Sequence, residues 1–144
     1  MGFNLYETDF YEWTLKQSRL LKQGDFPQLD IINLVEEIES LGKQERRELE
    51  NRLAILIGHL LKWEYQAEKR SKSWRATIRE QRRMVQKLLS QSPSLKPYLS
   101  ELIAGGYESS KDLVVRETPL DYLDLPEKCP YTPEQILDWE YPRE

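Results

Sequence analysis

The side chains able to do chemistry in this sequence fall into three groups. His59 is the sole histidine, and imidazole is the side chain whose ordinary pKa suits proton transfer near neutrality. Glu36, Glu37 and Glu39 crowd into four positions, a carboxylate cluster of the kind that raises one member's pKa for acid–base work. Facing His59 across a helical bundle, these glutamates would supply the ligands of a metal-dependent hydrolase. The third group is cationic and aromatic: Arg70, Arg75, Arg79, Arg82 and Arg83, with Trp63 and Trp74.

Each group also has a plain structural reading. A lone histidine on the most apolar stretch of the chain fits a packed ring with its hydrogen bond satisfied. The glutamates fit the polar side of a helix. A ferritin-like dimetal centre needs two Glu-x-x-His pairs, and Leu56 stands three positions before His59. Nothing in the spacing requires a metal, and neither a metal nor another cofactor is expected. Cys129 is the single cysteine, so no internal disulfide can form, and beside Lys128 it reads as a small residue of a proline-rich tail. Gly105-Gly106 is not followed by the Gly-Lys-Ser/Thr of a phosphate loop. No complete catalytic set can be assembled.

Charge is distributed unevenly. The formal net charge is −4, which argues against a globally basic nucleic-acid binder. Residues 1–68 carry −5, residues 69–99 carry +8 and residues 100–144 carry −7. On a helix drawn at 100° per residue, Arg75, Arg79 and Arg82 form a row beside an apolar seam of Trp74, Ile78, Val85, Leu88 and Leu89. Like charges at this spacing repel, so the row wants anions beside it. Three sources present themselves. The first is internal: Glu36, Glu37 and Glu39, or Glu45, Glu48 and Glu50, or the acidic tail. The second is nucleic acid bound along the cationic helix 70–87, with Trp63 and Trp74 as stacking surfaces. The third is an acidic protein partner or a second copy of the chain. The internal source is preferred, because acidic residues are in excess. The favoured function is a non-catalytic interaction or regulatory module using a face of Trp63, Arg70, Trp74, Arg75, Arg79, Arg82 and Arg83.

The elements that position these residues are helical. Thr8 or Asp9, with Glu12 three residues after Asp9, marks the start of a first helix and Gly24 its end. Asp30 caps a second, which Gly42 is expected to close. A third runs from about Gln44 to Tyr65 on Leu49, Leu53, Leu56, Leu60 and Trp63, and Ile55, Ile57 and Leu61 make it apolar nearly all round. Ser71 or Ser73 caps the fourth, and Ser92-Pro93 ends it. The fifth is expected from Ser94, with Pro97 in its first turn. Along it, Gly106 and Ser110 would admit a neighbouring backbone. From Thr118 onward five prolines leave room only for a short turn after Thr132-Pro133. The expectation is an all-α bundle of about five helices forming one domain, with an extended, proline-rich tail (residues 118–144) packed over it.

The chain has 144 residues, 39% hydrophobic and 32% charged. Its mean hydropathy of −0.72 is low, yet Leu, Ile, Trp and Tyr are too frequent for disorder. The longest apolar run, Leu53 to Leu61, is half a membrane span. No membrane association is expected, and the first residues lack the pattern of a signal peptide. A cytoplasmic location is the expectation.

Longer motifs carry a resemblance. They are Leu34-Val35-Glu36-Glu37-Ile38-Glu39-Ser40-Leu41-Gly42, His59-Leu60-Leu61-Lys62-Trp63, Arg70-Ser71-Lys72-Ser73-Trp74-Arg75 and Thr77-Ile78-Arg79-Glu80-Gln81-Arg82. Ser92-Pro93-Ser94-Leu95 and Cys129-Pro130-Tyr131-Thr132 extend the match along nearly the whole chain. The sequence resembles the family of small, mostly cyanobacterial proteins known as domain of unknown function number twenty-nine. The resemblance implies an α-helical protein and carries over no catalytic role.

Overall fold

Asp9, Ser71 and Thr132 begin three of the helices, each by accepting a hydrogen bond from a backbone N–H of the first turn. The donors are Glu12, Trp74 and Gln135. In the computed structural model, which describes residues 4–143, the helices are α1 (Leu5–Thr8), α2 (Phe10–Gln23), α3 (Ile31–Tyr65), α4 (Lys72–Gln91), α5 (Leu99–Glu117) and α6 (Pro133–Leu137). Among the described residues there is no strand, and the fold is all-α. No helix of the described residues is long and apolar enough to cross a membrane.

Two expected helices are one. The chain runs as α3 without a break through Gly42, where the sequence predicted an end. A glycine inside a helix costs only about 1 kcal/mol relative to alanine. The flanking Glu, Leu, Lys, Gln and Arg residues are strong helix formers, so the single glycine is carried through. Gly24 behaves as expected: its φ of 72° places it in the left-handed region, and the N–H of Asp25 reaches back to Leu20 O. The fifth helix also starts later than predicted. Residues Pro93–Tyr98 form a 3-10 segment, and α5 begins at Leu99.

The chain divides into two compact units, residues 1–44 and residues 45–144. In the first, α2 and the opening turns of α3 are tied at Asp30. Its carboxylate accepts from Trp13 Nε1 (3.0 Å) and Asn33 Nδ2 (2.7 Å), while its backbone N–H donates to Gln17 Oε1 (2.8 Å). These hydrogen bonds, led by that of Asn33, hold the carboxyl below its ordinary pKa despite opposing desolvation. Tyr6 closes the unit, edge-on to Trp13 and donating its hydroxyl to Glu37.

In the second unit, Leu49, Leu53, Leu56, Ile57 and Leu61 of α3 are fully buried against Val85 of α4 and Val114 of α5. The α3–α5 contact is close because its residues are small. A Cβ on Gly106 would stand 3.1 Å from the carbonyl oxygen of Glu50, and Ser110 Oγ donates to Ala54 O at 2.8 Å. The tail contributes Leu125, Tyr131 and Ile136 to the core. Tyr131 also donates its hydroxyl to Glu64 at 2.7 Å. The buried, carboxylate-bonded phenol is pushed well above its ordinary pKa, mainly by burial.

Candidate functional site

Helix α4 turns its arginines toward the tail. Arg82 is 2% exposed, and its Nε donates to the carbonyl of Ile136 at 2.7 Å, with a longer contact from Nη2 to Gln135 O (3.4 Å). One turn further, Gln86 donates to Leu137 O at 2.8 Å. The last carbonyls of α6 have no partners within that helix, so α4 caps its C-terminal end from the side. Burial lowers the Arg82 pKa and the charge of Asp138 partly offsets this. A guanidinium remains protonated in proteins, so a positive charge sits in the core on main-chain carbonyls.

This differs from the expected pairing of the arginine row with carboxylates of the helices over residues 31–65. Arg82 takes carbonyls instead, and among the described residues Arg79 and Arg83 have no ion pair. Three of the glutamates have other neighbours: Glu37 accepts from Tyr6, Glu48 lies 3.9 Å from Arg52, and Glu50 lies against Gly105.

A cavity of about 540 Å³ opens between α4 and the tail, lined by Trp63, Arg75, Ile78, Arg79, Arg82, Arg83, Trp139, Tyr141 and Pro142. Trp63 is 5% exposed and its buried indole N–H has no hydrogen-bond partner among the described residues. Arg75 lies over the Trp63 ring at 5.8 Å. The structure thus gathers five of the seven residues of the predicted face. Arg70 lies in an adjoining cavity with Glu64, Tyr131 and Tyr141, where its Nε donates to Trp63 O at 2.8 Å and its guanidinium lies 4.9 Å from the ring centre. Trp74 covers Lys62, whose ammonium is 4.8 Å from the ring and 2.8 Å from Glu117. Trp139, Tyr141 and Pro142 were not singled out from the sequence. Their only signal was an aromatic run in a tail expected to pack.

The residues of the predicted polar cluster fall in different units. Glu36, Glu37 and Glu39 lie on α3 in the first unit, and His59 lies on the same helix in the second. The reading of His59 as facing these glutamates across a bundle required two separate helices. Among the described residues no three His, Cys, Asp or Glu side chains are grouped to hold a metal ion. His59 Nδ1 is 3.0 Å from Ile55 O, so that nitrogen carries the proton, and burial pushes the imidazole below its ordinary pKa of 6.5. The half-buried Cys129 thiol is shifted upward, by burial above all, away from thiolate reactivity.

The His59 shift has a measurable consequence. The unfolded chain takes up this proton at a higher pH than the folded one. The stability from neutral His59 is therefore complete above about 6.5 and is lost as pH falls through the lower folded value. In urea titrations at about pH 7.5 and about pH 5.5, His59→Gln should show a smaller drop in midpoint than the parent. An identical drop in both proteins would remove His59 as a source of the acid sensitivity.

No curated protein and no solved structure matches the chain. The family model described as "Domain of unknown function DUF29" matches residues 5–142, and the chain belongs to that family.

Proposed function

We propose that this protein is a non-catalytic interaction module whose cavity between α4 and the tail receives an acidic peptide segment of a partner protein. The observation that carries the reading is the pairing of two features in one cavity: guanidinium groups of Arg79 and Arg83 without acidic partners among the described residues, and the apolar walls of Ile78, Trp139 and Pro142. Guanidinium forks bind carboxylates with geometric specificity, and the apolar walls suit the side chains that flank an acid in a peptide. A volume of about 540 Å³ holds a few residues.

The test is titration of the protein with a short peptide of glutamate and leucine, followed by tryptophan fluorescence, since Trp139 is half exposed at the rim. A saturable change is expected, with an affinity that falls by about tenfold or more in the Arg79→Ala/Arg83→Ala double variant. Lys87→Ala, on the same helix but outside the cavity, should leave the affinity unchanged. Absence of a saturable response, or equal affinity in the double variant, overturns the proposal. Tighter binding of a single-stranded oligonucleotide with a steep salt dependence would replace it by nucleic-acid association.

A further inference from the structure

The first unit leaves much of its apolar surface uncovered. Phe10, Tyr11, Leu15, Leu21, Phe26, Ile31, Ile32, Val35, Ile38 and Leu41 are all exposed, from 39% for Leu15 to 81% for Ile32. Among the described residues these are ten of the fourteen exposed large hydrophobic side chains. On α3, Ile31, Val35 and Ile38 recur at four- and three-residue spacing and so share one face, with Ile32 on one edge of it and Leu41 on the other. The opposite side of the helix is used internally, where Asp30 at its start engages Trp13 and Gln17 of α2 and Glu37 accepts from Tyr6.

We infer that this face docks a second copy of the chain, two hairpins of α2 and α3 packing about a two-fold axis. Charge identifies the occupant. Between Phe10 and Gln23, α2 carries Lys16, Arg19 and Lys22 against one acid, Glu12. The opening turns of α3, up to Gln44, carry Glu36, Glu37 and Glu39 against one base, Lys43. A two-fold axis that lays α2 of one copy along α3 of the other sets the basic helix on the acidic one, and does so twice. An isologous interface has this self-complementarity. The packing extends each hairpin into a four-helix arrangement.

Sedimentation of the full chain over a concentration series tests the inference. The expected species has twice the 17.2 kDa chain mass. Ile32→Glu/Ile38→Glu, which alters only exposed side chains, should sediment at the single-chain mass with unchanged far-ultraviolet helicity. Two further variants test the pairing of charge and not merely burial. Glu36→Lys/Glu39→Lys and Lys16→Glu/Arg19→Glu should each be monomeric alone, and an equimolar mixture should recover the double mass. A monomer at every concentration overturns the proposal, as does a dimer that survives Ile32→Glu/Ile38→Glu. Failure of the mixture to reassociate overturns the arrangement of α2 on α3.

Discussion

Arg82→Ala should lower the stability of the second unit by about 3 kcal/mol. The change leaves the carbonyl of Ile136 without its donor, removes the weaker contact at Gln135, and empties the space of a fully buried stem. An unsatisfied buried carbonyl costs roughly 1–3 kcal/mol, and the cavity left by the side chain adds to it. For a chain of this size that corresponds to a fall in Tm of roughly 10 °C. The loss should be concentrated at the tail, so amide exchange over residues 133–142 should accelerate more than exchange in α3. Arg82→Lys keeps the charge but not the fork, and should recover only part of the stability. A variant as stable as the parent, with an unchanged tail, would show that the carbonyl contacts do not hold α6.

Gly106→Leu should be at least as damaging, by about 3 kcal/mol or more, for a different reason. The first atom added already stands 3.1 Å from a backbone oxygen, that of Glu50, and 3.5 Å from the backbone nitrogen of Ala54. A main chain inside a helix cannot swing aside as a side-chain tip can, so α3 and α5 must separate. Overpacking of this kind costs roughly 1–3 kcal/mol. Separation also stretches the bond from Ser110 to Ala54 O, worth about 1 kcal/mol. Gly105→Leu is the instructive neighbour, because there the added atom meets the carboxylate of Glu50, a partly exposed group that can turn away. Thermal denaturation of the two variants should therefore differ clearly. Equal losses would mean that helix propensity, not the close approach, governs this segment.

Much of the fold was legible because its signals are local. Asp9, Ser71 and Thr132 cap by bonding within a few residues, and Gly24 satisfies a left-handed turn no matter what surrounds it. The apolar seam from Leu49 to Trp63 was legible through its period. Gly42 misled because the same residue type ends a helix in one context and is tolerated in another. The difference lies in the sum of the neighbours' propensities, not in the glycine.

The site was half legible. The concentration of arginine on α4 drew attention to Arg75, Arg79, Arg82 and Arg83, which do line one cavity. The partners of Arg82 could not be read, because a peptide carbonyl is present at every position and has no sequence signature. A search for matching acids led to the glutamates of α3, whereas the oxygens in use belong to Ile136 and Gln135. Trp74 lies over an internal lysine, a placement that aromatic type alone does not reveal.

The two sides of the cavity belong to stretches of chain far apart in order of synthesis, since Ile136 follows Arg82 by 54 positions. At translation speeds of about 5–20 residues per second, the later side trails the earlier by roughly 3–11 s. A nascent polypeptide carries its arginines through that interval with the tail side of the cavity still to be made. The cavity is thus complete only in molecules whose ribosome has moved beyond Pro142.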